Sequence, residues 1–273
     1  TQFVTTRFGN VLLEQGVDTV FGYPGSAVLD IYDELYKCDK IRHILTCHEQ
    51  AAAHAADGYA RATGRTGVVI ATSGPGATNL VTGIAAAYMD SSPVVAITGN
   101  VKTSLLGSDS FQEVDIAGVT MPVTKYSFIA SGERGVAQDV REAFSIAQSG
   151  RKGPVLVDIP ADIAAQSEEY ERAPKSEPAP VKEPEETELE RAAQMIEKAK
   201  RPLIYVGGGA ISSGASDALK TFAQKLHIPV ACSMMGLGAY PCSAELFLGL
   251  VGMHGNPAAN MAALNCDLRI AAG

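Results

Sequence analysis

VVIATSGPGATNLVTGIAAAYMD, Val68 to Asp90, carries the reading that decides the fold. Four apolar residues come first, then a turn of small and polar ones. An Ala-rich segment with apolar positions at helical spacing follows. A strand that is apolar on every side chain needs helices over both faces, which is the pattern of a parallel sheet. The same unit repeats outward in both directions. Strands are expected at Thr19–Phe21, His43–Thr46, Val68–Ala71, Val94–Thr98 and Val155–Ile159. Helices are expected at Ala27–Tyr36, Gln50–Thr63, Thr78–Asp90 and Glu133–Gln148. Residues 1–166 therefore read as an α/β domain: an open, mostly parallel sheet with helices on both faces.

Composition changes abruptly beyond it. Residues 167–188, SEEYERAPKSEPAPVKEPEETE, hold eight Glu and four Pro, with nothing aliphatic larger than Val181. Such a stretch buries too little surface to fold and reads as an exposed, acidic, Pro-rich linker. An acidic interaction tail is the rival reading, and its place between two folded patterns disfavours it. The alternation resumes with helix Leu189–Ala199, strand Leu203–Val206, helix Gly214–Leu226 and strands Pro229–Ala231 and Leu268–Ala271. So few strands without a closing helix suggest an incomplete second domain over residues 189–273, Rossmann-like and α/β.

The whole chain sets further bounds. Its 273 residues are 46% apolar and 19% charged, enough for two cores. No apolar run nears the eighteen or so residues of a bilayer span, so no membrane association is expected. A net charge of −8 argues against a nucleic-acid partner. Five cysteines, none in a CxxC, suggest a reducing cytoplasm with thiols used as small buried apolar groups. No basic start followed by an apolar stretch marks a secretory signal.

Among candidate chemical groups, His48, Glu49 and Gln50 stand where a strand ends and a helix begins. In open α/β sheets that edge is where ligands bind. A zinc site of the HExxH kind fails, because Ala52 occupies the second His position and His54 falls about 240° around the helix. Two readings of Glu49 stand side by side. It is a helix N-terminal carboxylate favoured by the dipole, or a carboxyl suited to hold and pass a proton. Its neighbours Leu45, Ala51, Ala52 and Ala53 would solvate a charge poorly, which favours the second. TSGPGATN, Thr72 to Asn79, lacks the Lys of a phosphate-binding Walker loop. FGYPGSAV, Phe21 to Val28, is a similar strand–turn–helix element. YVGGGAISSG, Tyr205 to Gly214, has Ser212 where a dinucleotide fingerprint needs its third Gly, so a nicotinamide dehydrogenase is the weaker reading.

Taken together, FGYPGSAVLDIYDEL, HEQAAAHAADGYARATG, ATSGPGATNLVTGIAAAYMDSSPVVAITG, GSDSFQEVDI, VTKYSF and GPVLVDIP resemble the catalytic subunits of the thiamine-diphosphate-dependent acetolactate (acetohydroxyacid) synthase family. RPLIYVGGG, MMGLGAYP and GMHGNPAAN extend the resemblance over nearly the whole chain. It implies a pyrimidine-binding domain, a central domain carrying FAD, and a diphosphate-binding domain whose GDG motif and Mg ligands do not occur here, so no metal ligand is expected in this chain. It implies decarboxylation of pyruvate and condensation with a second 2-ketoacid, in a homodimer or homotetramer with a possible small regulatory subunit. By matching position, Glu49 is implied to exchange a proton with N1′ of the thiamine pyrimidine. Tyr23, Pro24, Gly25, Pro75 and Asn79 are implied to line that ring. Phe111 and Gln112 are implied to face the reacting centre of the neighbouring subunit. Arg151, Gly208, Ser233, Met234, Met253, His254 and Gly273 are implied to contact FAD, with core packing the plain alternative for Met234, Met253 and His254. The sequence departs from the family at Ala161 (usually Lys), Lys102 (often Pro) and Asn100 (often Gln), near the expected substrate channel. A pyruvate oxidase, a sulfoacetaldehyde acetyltransferase and a non-catalytic cofactor-binding module are the rival expectations.

Overall fold

The computed structural model describes residues 7–166, 170–178 and 180–273. Residues 1–6 of the expected first domain, and 167–169 and 179 of the expected linker, lie outside the described residues. The chain divides into two compact units, residues 1–181 and 182–273.

In the first unit the elements run α1 (Arg7–Glu14), β1 (Thr19–Tyr23), α2 (Leu29–Tyr36), β2 (Arg42–Leu45), α3 (Glu49–Thr63), β3 (Gly67–Ala71), α4 (Pro75–Thr78) and α5 (Val81–Met89). They continue with β4 (Val94–Asn100), α6 (Ile116–Thr120), β5 (Tyr126–Ile129), α7 (Val136–Gln148), β6 (Val155–Pro160) and α8 (Ala161–Ala164). Six strands pair in the order β2-β1-β3-β4-β6-β5, every pair parallel. Strands β3, β4 and β6 are buried at every residue. Their alternate side chains feed two cores. Val68, Ile70, Val95 and Ile97 pack with Phe8, Leu12, Ile31, Val140 and Phe144 on one face. Val69, Ala71, Val94 and Ala96 pack with Ala52, Ala56, Leu80 and Ile84 on the other. Period-two alternation under helices is what makes these strands apolar throughout.

Helix boundaries follow local chemistry. His48 caps α3, its Nδ1 accepting the Gln50 N–H at 3.1 Å, and Gly64 ends it in the left-handed conformation at φ 70°. The expected single helix from Thr78 to Asp90 is instead two, α4 and α5, parted at Asn79 and Leu80.

The second unit holds α9 (Glu186–Lys198), β7 (Pro202–Val206), α10 (Gly208–Ser212), α11 (Ser216–Leu226), β8 (Val230–Cys232), β9 (Phe247–Leu250), α12 (Pro257–Asn265) and β10 (Leu268–Ala272). Four parallel strands pair in the order β10-β7-β8-β9. Ile204, Val206, Leu219, Val230 and Tyr240 centre the larger core.

One expectation needs correcting. Of the five cysteines, all free thiols, only Cys232 is buried, while Cys47 and Cys242 are exposed. Residues 170–178 carry no regular element and are mostly exposed, with bonds that tie them to the first unit. Glu14 accepts from the Tyr170 hydroxyl and from Ala173 N, Gln15 accepts from Ser176 N, and Ser176 Oγ donates to Arg141 O. The backbone polar groups of a Pro-rich stretch still need partners, and a polar unit surface supplies them. Among the described residues, no helix is long and apolar enough to cross a membrane.

Candidate active site at the carboxyl edge of the first sheet

Because all six strands point the same way, the turns after β1, β2, β3, β4 and β6 gather at one edge. Glu49 stands there as the first residue of α3 and is 8% exposed. Its Oε2 accepts the Asn79 Nδ2 hydrogen at 2.9 Å. Its Oε1 has no donor among the described residues, and a side chain at Gly76 would come within 3.2 Å of it. The helix position and the buried carboxyl thus coexist in one residue. The burial arises differently from the sequence expectation: Leu45 and Ala51 are exposed, Ala52 and Ala53 are buried, and Gly76 and Asn79 lie against the carboxyl.

Thr72 joins two turns into one wall, and sequence reasoning missed it. A Cβ on Gly25 would meet Thr72 at 2.5 Å, and one on Gly76 would meet its Cγ2 at 2.7 Å. Thr72 Oγ1 also accepts from Ala27 N at 3.3 Å. Only glycines permit this approach. The signal was the recurrence of Gly after Pro or Ser in both loops. Tyr23 and Pro24 are exposed beside this wall, as is Pro75, and Asn79 is half-buried. The structure therefore brings Tyr23, Pro24, Gly25, Glu49, Pro75 and Asn79 to one edge.

Behind Glu49 lies a second pair. The Tyr32 hydroxyl lies 3.2 Å from His43 Nε2, and the rings meet edge to face at 5.0 Å. Burial, and then the Glu49 charge, push the Tyr32 phenol well above its ordinary value, and burial lowers the His43 imidazole.

The loop after β4 crosses back to the Gly74 turn. Gln112 (φ 60°) presses its backbone on Gly74 (φ 57°), where a Cβ would stand 2.7 Å from Gln112 O. Of the pair Phe111 and Gln112, expected to face a neighbouring subunit's centre, the Gln112 backbone lies on Gly74 of its own chain. Phe111 is 87% exposed. Under this loop, Asp158 of β6 is fully buried and accepts from Thr98 Oγ1 at 2.6 Å and Asn100 Nδ2 at 2.5 Å. Burial pushes its carboxyl up to about 7, against those two hydrogen bonds. Asn100 Oδ1 in turn accepts from Val101 N, and Asp162 accepts from Thr103 N and Oγ1. Asp158 carried no signal in sequence beyond a lone acid inside an apolar strand.

The residues expected to contact FAD fall in both units. Arg151, in the first, spends its guanidinium on Ser91 Oγ and the carbonyls of Tyr88 and Met89 at the end of α5. In the second unit, Gly208 opens α10 and Ser233 caps the turn Met234–Gly236. Gly273 meets Gly207, Gly209 and Ala210 backbone to backbone, where any Cβ would stand within 3 Å. Met234 is 60% and Met253 93% exposed, and His254 is exposed, so core packing does not explain them. A separate cavity of about 530 Å³ is lined by Tyr205, Val251, Gly252, Asn260, Leu264 and Arg269 among others. Its amide is satisfied by Gly252, and its guanidinium donates to Ala263 O. Among the described residues no three His, Cys, Asp or Glu side chains converge as a metal site.

Comparison with known proteins adds the family. Residues 4–119 match the thiamine pyrophosphate enzyme N-terminal TPP binding domain, and residues 189–273 match the central domain of the same enzymes. The chain is 50% identical over 267 residues to the acetolactate synthase isozyme 3 large subunit of Escherichia coli, covering 96% of this chain and 46% of that protein. It is 51% identical over 265 residues to the acetolactate synthase large subunit of Corynebacterium glutamicum, covering 96% of this chain and 42% of the relative. A probable acetolactate synthase large subunit of Methanocaldococcus jannaschii is 50% identical over 267 residues, 95% of this chain and 45% of that one. The chain thus spans less than half the length of these relatives.

Proposed function

The chain belongs to the thiamine pyrophosphate enzymes, and on that footing we propose that it is the thiamine-activating part of an acetolactate synthase large subunit. The reaction is the decarboxylation of pyruvate and its condensation with a second 2-ketoacid, a step of branched-chain amino-acid biosynthesis. The relatives' names favour this reading over a pyruvate oxidase or a sulfoacetaldehyde acetyltransferase.

The observation that carries it is Glu49: a buried carboxyl at a sheet's carboxyl edge, with one oxygen on a neutral amide and the other without a protein donor. Such a group fits the ring nitrogen of a flat heterocycle, and the glycine-lined wall of Gly25, Thr72 and Gly76 fits the ring's edge. Bound thiamine diphosphate supplies the carbanion chemistry. Glu49 holds and returns a proton at the pyrimidine nitrogen, because a carboxyl shielded from water and facing a neutral donor does both with little reorganisation. Asn79 fixes the carboxyl plane through Oε2. Tyr23, Pro24, Gly25 and Pro75 shape the ring's seat and exclude water, and Phe111 and Gln112 approach the substrate side.

In this reading residues 1–166 bind the pyrimidine, 167–188 link, and 189–273 form part of an FAD-carrying central domain. Exposed Met234, Met253 and His254 with Gly208, Ser233 and Gly273 fit a planar, extended nucleotide. Arg151 fits it less well, since α5 already takes its guanidinium. Magnesium and the diphosphate need ligands beyond these residues, so the 273-residue chain alone is inert. The full protein is a cytoplasmic homodimer or homotetramer, and the large-subunit names of its relatives bring a small regulatory subunit into the proposal.

The test is direct. Full-length protein is given pyruvate with thiamine diphosphate and magnesium, with and without 2-ketobutyrate. Acetolactate and the mixed product are expected. Failure to form either would sink the reading.

A further inference from the structure

Residues 107–113 form a closed loop whose construction does not follow from any group already assigned a role. Glu113 turns its carboxylate back into the loop, where it accepts the N–H of Gly107 on one oxygen and that of Ser110 on the other. Its own N–H donates to Ser110 O at 3.0 Å. These backbone N–H groups, Gly107 first, hold the Glu113 carboxyl below the usual carboxylate range. Two residues other than glycine, Asp109 (φ 52°) and Gln112 (φ 60°), sit in the left-handed region inside this short segment. A conformation of that kind is strained for a residue with a side chain and persists only where its surroundings impose it. Each strained residue has an identifiable effect. The turn at Asp109 lies between the two N–H groups that Glu113 gathers. The turn at Gln112 throws Phe111 outward, 87% exposed, while the Gln112 backbone lands on Gly74. Gly74 opens the turn whose Gly76 faces Glu49 Oε1.

The stem of the loop is held separately. Asp158 acts on it through Asn100 and Val101, and Asp162 acts directly on Thr103. Those contacts fix where the segment leaves β4. They do not set the path of residues 107–113: Ser108 bonds back to Leu105 O near its start, and Glu113 ties Gly107 and Ser110 together across it.

We propose that Glu113 is a positioning residue: its carboxylate folds the 107–113 loop so that Phe111 and Gln112 are presented to the substrate beside Glu49. This rests on the proposed 2-ketoacid condensation for its kinetic consequence, and on geometry alone for its structural one. The two parts can be read separately. The chain contains no Trp, so Phe111→Trp places a single tryptophan, excited apart from the tyrosines, at the loop tip. In that background Glu113→Ala is expected to lower the steady-state anisotropy of the tryptophan, with the unfolding midpoint and far-ultraviolet dichroism nearly unmoved. Glu113→Gln keeps one acceptor oxygen and is expected to restore part of the anisotropy. In the full-length protein, Glu113→Ala without the tryptophan should lower kcat roughly ten- to hundred-fold, the scale of an ångström-size misplacement, and shift KM for pyruvate less. Glu113→Gln should fall between. Unchanged anisotropy in Glu113→Ala overturns the proposal whatever the kinetics do. Lost anisotropy with wild-type turnover overturns it too, because the loop would then present nothing that matters. If the unsubstituted protein condenses no ketoacids, the functional reading fails, and the anisotropy alone then decides whether Glu113 holds the loop.

Discussion

The two units have the same kind of sheet, parallel with glycine-rich turns at its carboxyl edge, yet they use those glycines differently. In the first unit, Gly25 and Gly76 leave room for a side chain, Thr72, and through it for the carboxyl of Glu49. In the second, Gly207, Gly209 and Gly236 leave room for other backbone: Gly273 crosses the first two, and Val206 O approaches the third. On the same side of this unit's turns, Met234, Met253 and His254 are exposed. One edge buries a carboxyl beside a side-chain wall. The other has tightly crossed main chain with exposed methionines nearby. Turn sequences of the same general look therefore do not imply the same chemistry, and what fills the space vacated by each glycine decides the difference.

The hardest blow to this contrast would come at Glu49. Glu49→Gln in the full-length protein keeps shape and burial but cannot exchange a proton. Turnover should fall roughly 10²–10⁴-fold while thermal unfolding barely moves. Were Glu49 only a helix-end charge, the change would cost about 0.3–1 kcal/mol of stability and leave turnover intact. Exchange of the C2 deuterium of bound thiamine distinguishes the two, and wild-type exchange in the variant would end the catalytic assignment.

Asp158 offers a second test at the same edge. Its folded carboxyl titrates near 7 because burial disfavours its charge, whereas an unfolded one titrates near 4. Between those values the folded chain binds the extra proton, so stability should fall as pH rises, by roughly 1.4 kcal/mol per pH unit from this group, and level off above 7. Asp158→Asn can accept from Asn100 with Oδ1 and donate to the Thr98 hydroxyl with Nδ2. It should remove that slope and be the more stable protein at pH 8. Parallel denaturant midpoints for the two proteins from pH 5 to 8 would refute the buried-acid account.

Smaller effects probe the glycines themselves. Gly76→Ala should cost about 1–3 kcal/mol by crowding Thr72, and Thr72→Ser, which deletes the Cγ2 in the way, should recover at least 0.5 kcal/mol in a double-mutant cycle. Gly207→Ala meets the Gly273 carbonyl instead, so no side-chain trimming should rescue it. Additive behaviour of the first pair would erase the distinction between the two edges. Least affected of all should be Met253→Ser, within about 0.5 kcal/mol in stability, since an exposed side chain holds little of the core. A fall in FAD affinity by the same variant, read from flavin fluorescence, would support the proposed flavin site, and unaltered affinity would remove Met253 from it.

How far the sequence went is clearest at particular elements. Strands β3, β4 and β6 were legible to within a residue or two because both faces are buried and the whole run is apolar. Strand β5 (YSFI) and β9 (FLGL) were not, being half-exposed, short, and in β9 interrupted by Gly249 and a register shift. Glu49 could be singled out from its place between strand and helix. Its actual enclosure could not, since Gly74–Gly76 and α3 meet only in three dimensions. Thr72, Asp158 and Glu113 share that difficulty. Each is an ordinary residue locally, and its meaning comes from the atoms brought to it from elsewhere in the chain.

Glu14 gives the last lesson. Its carboxylate, 2% exposed at the end of α1, takes Arg141 of α7 together with the Tyr170 hydroxyl and Ala173 N. Two segments, each more than a hundred residues further along the chain, thus converge on one acid. The set is incomplete until the chain has been made as far as residue 173, so the seam of the first unit closes late during synthesis. Until then α1 and α7 face each other with a buried carboxylate still short of two of its donors. A chain released or cleaved ahead of the Tyr170–Ser176 strap would keep its sheet but lack this fastening, and a protease would find that seam before it found the core.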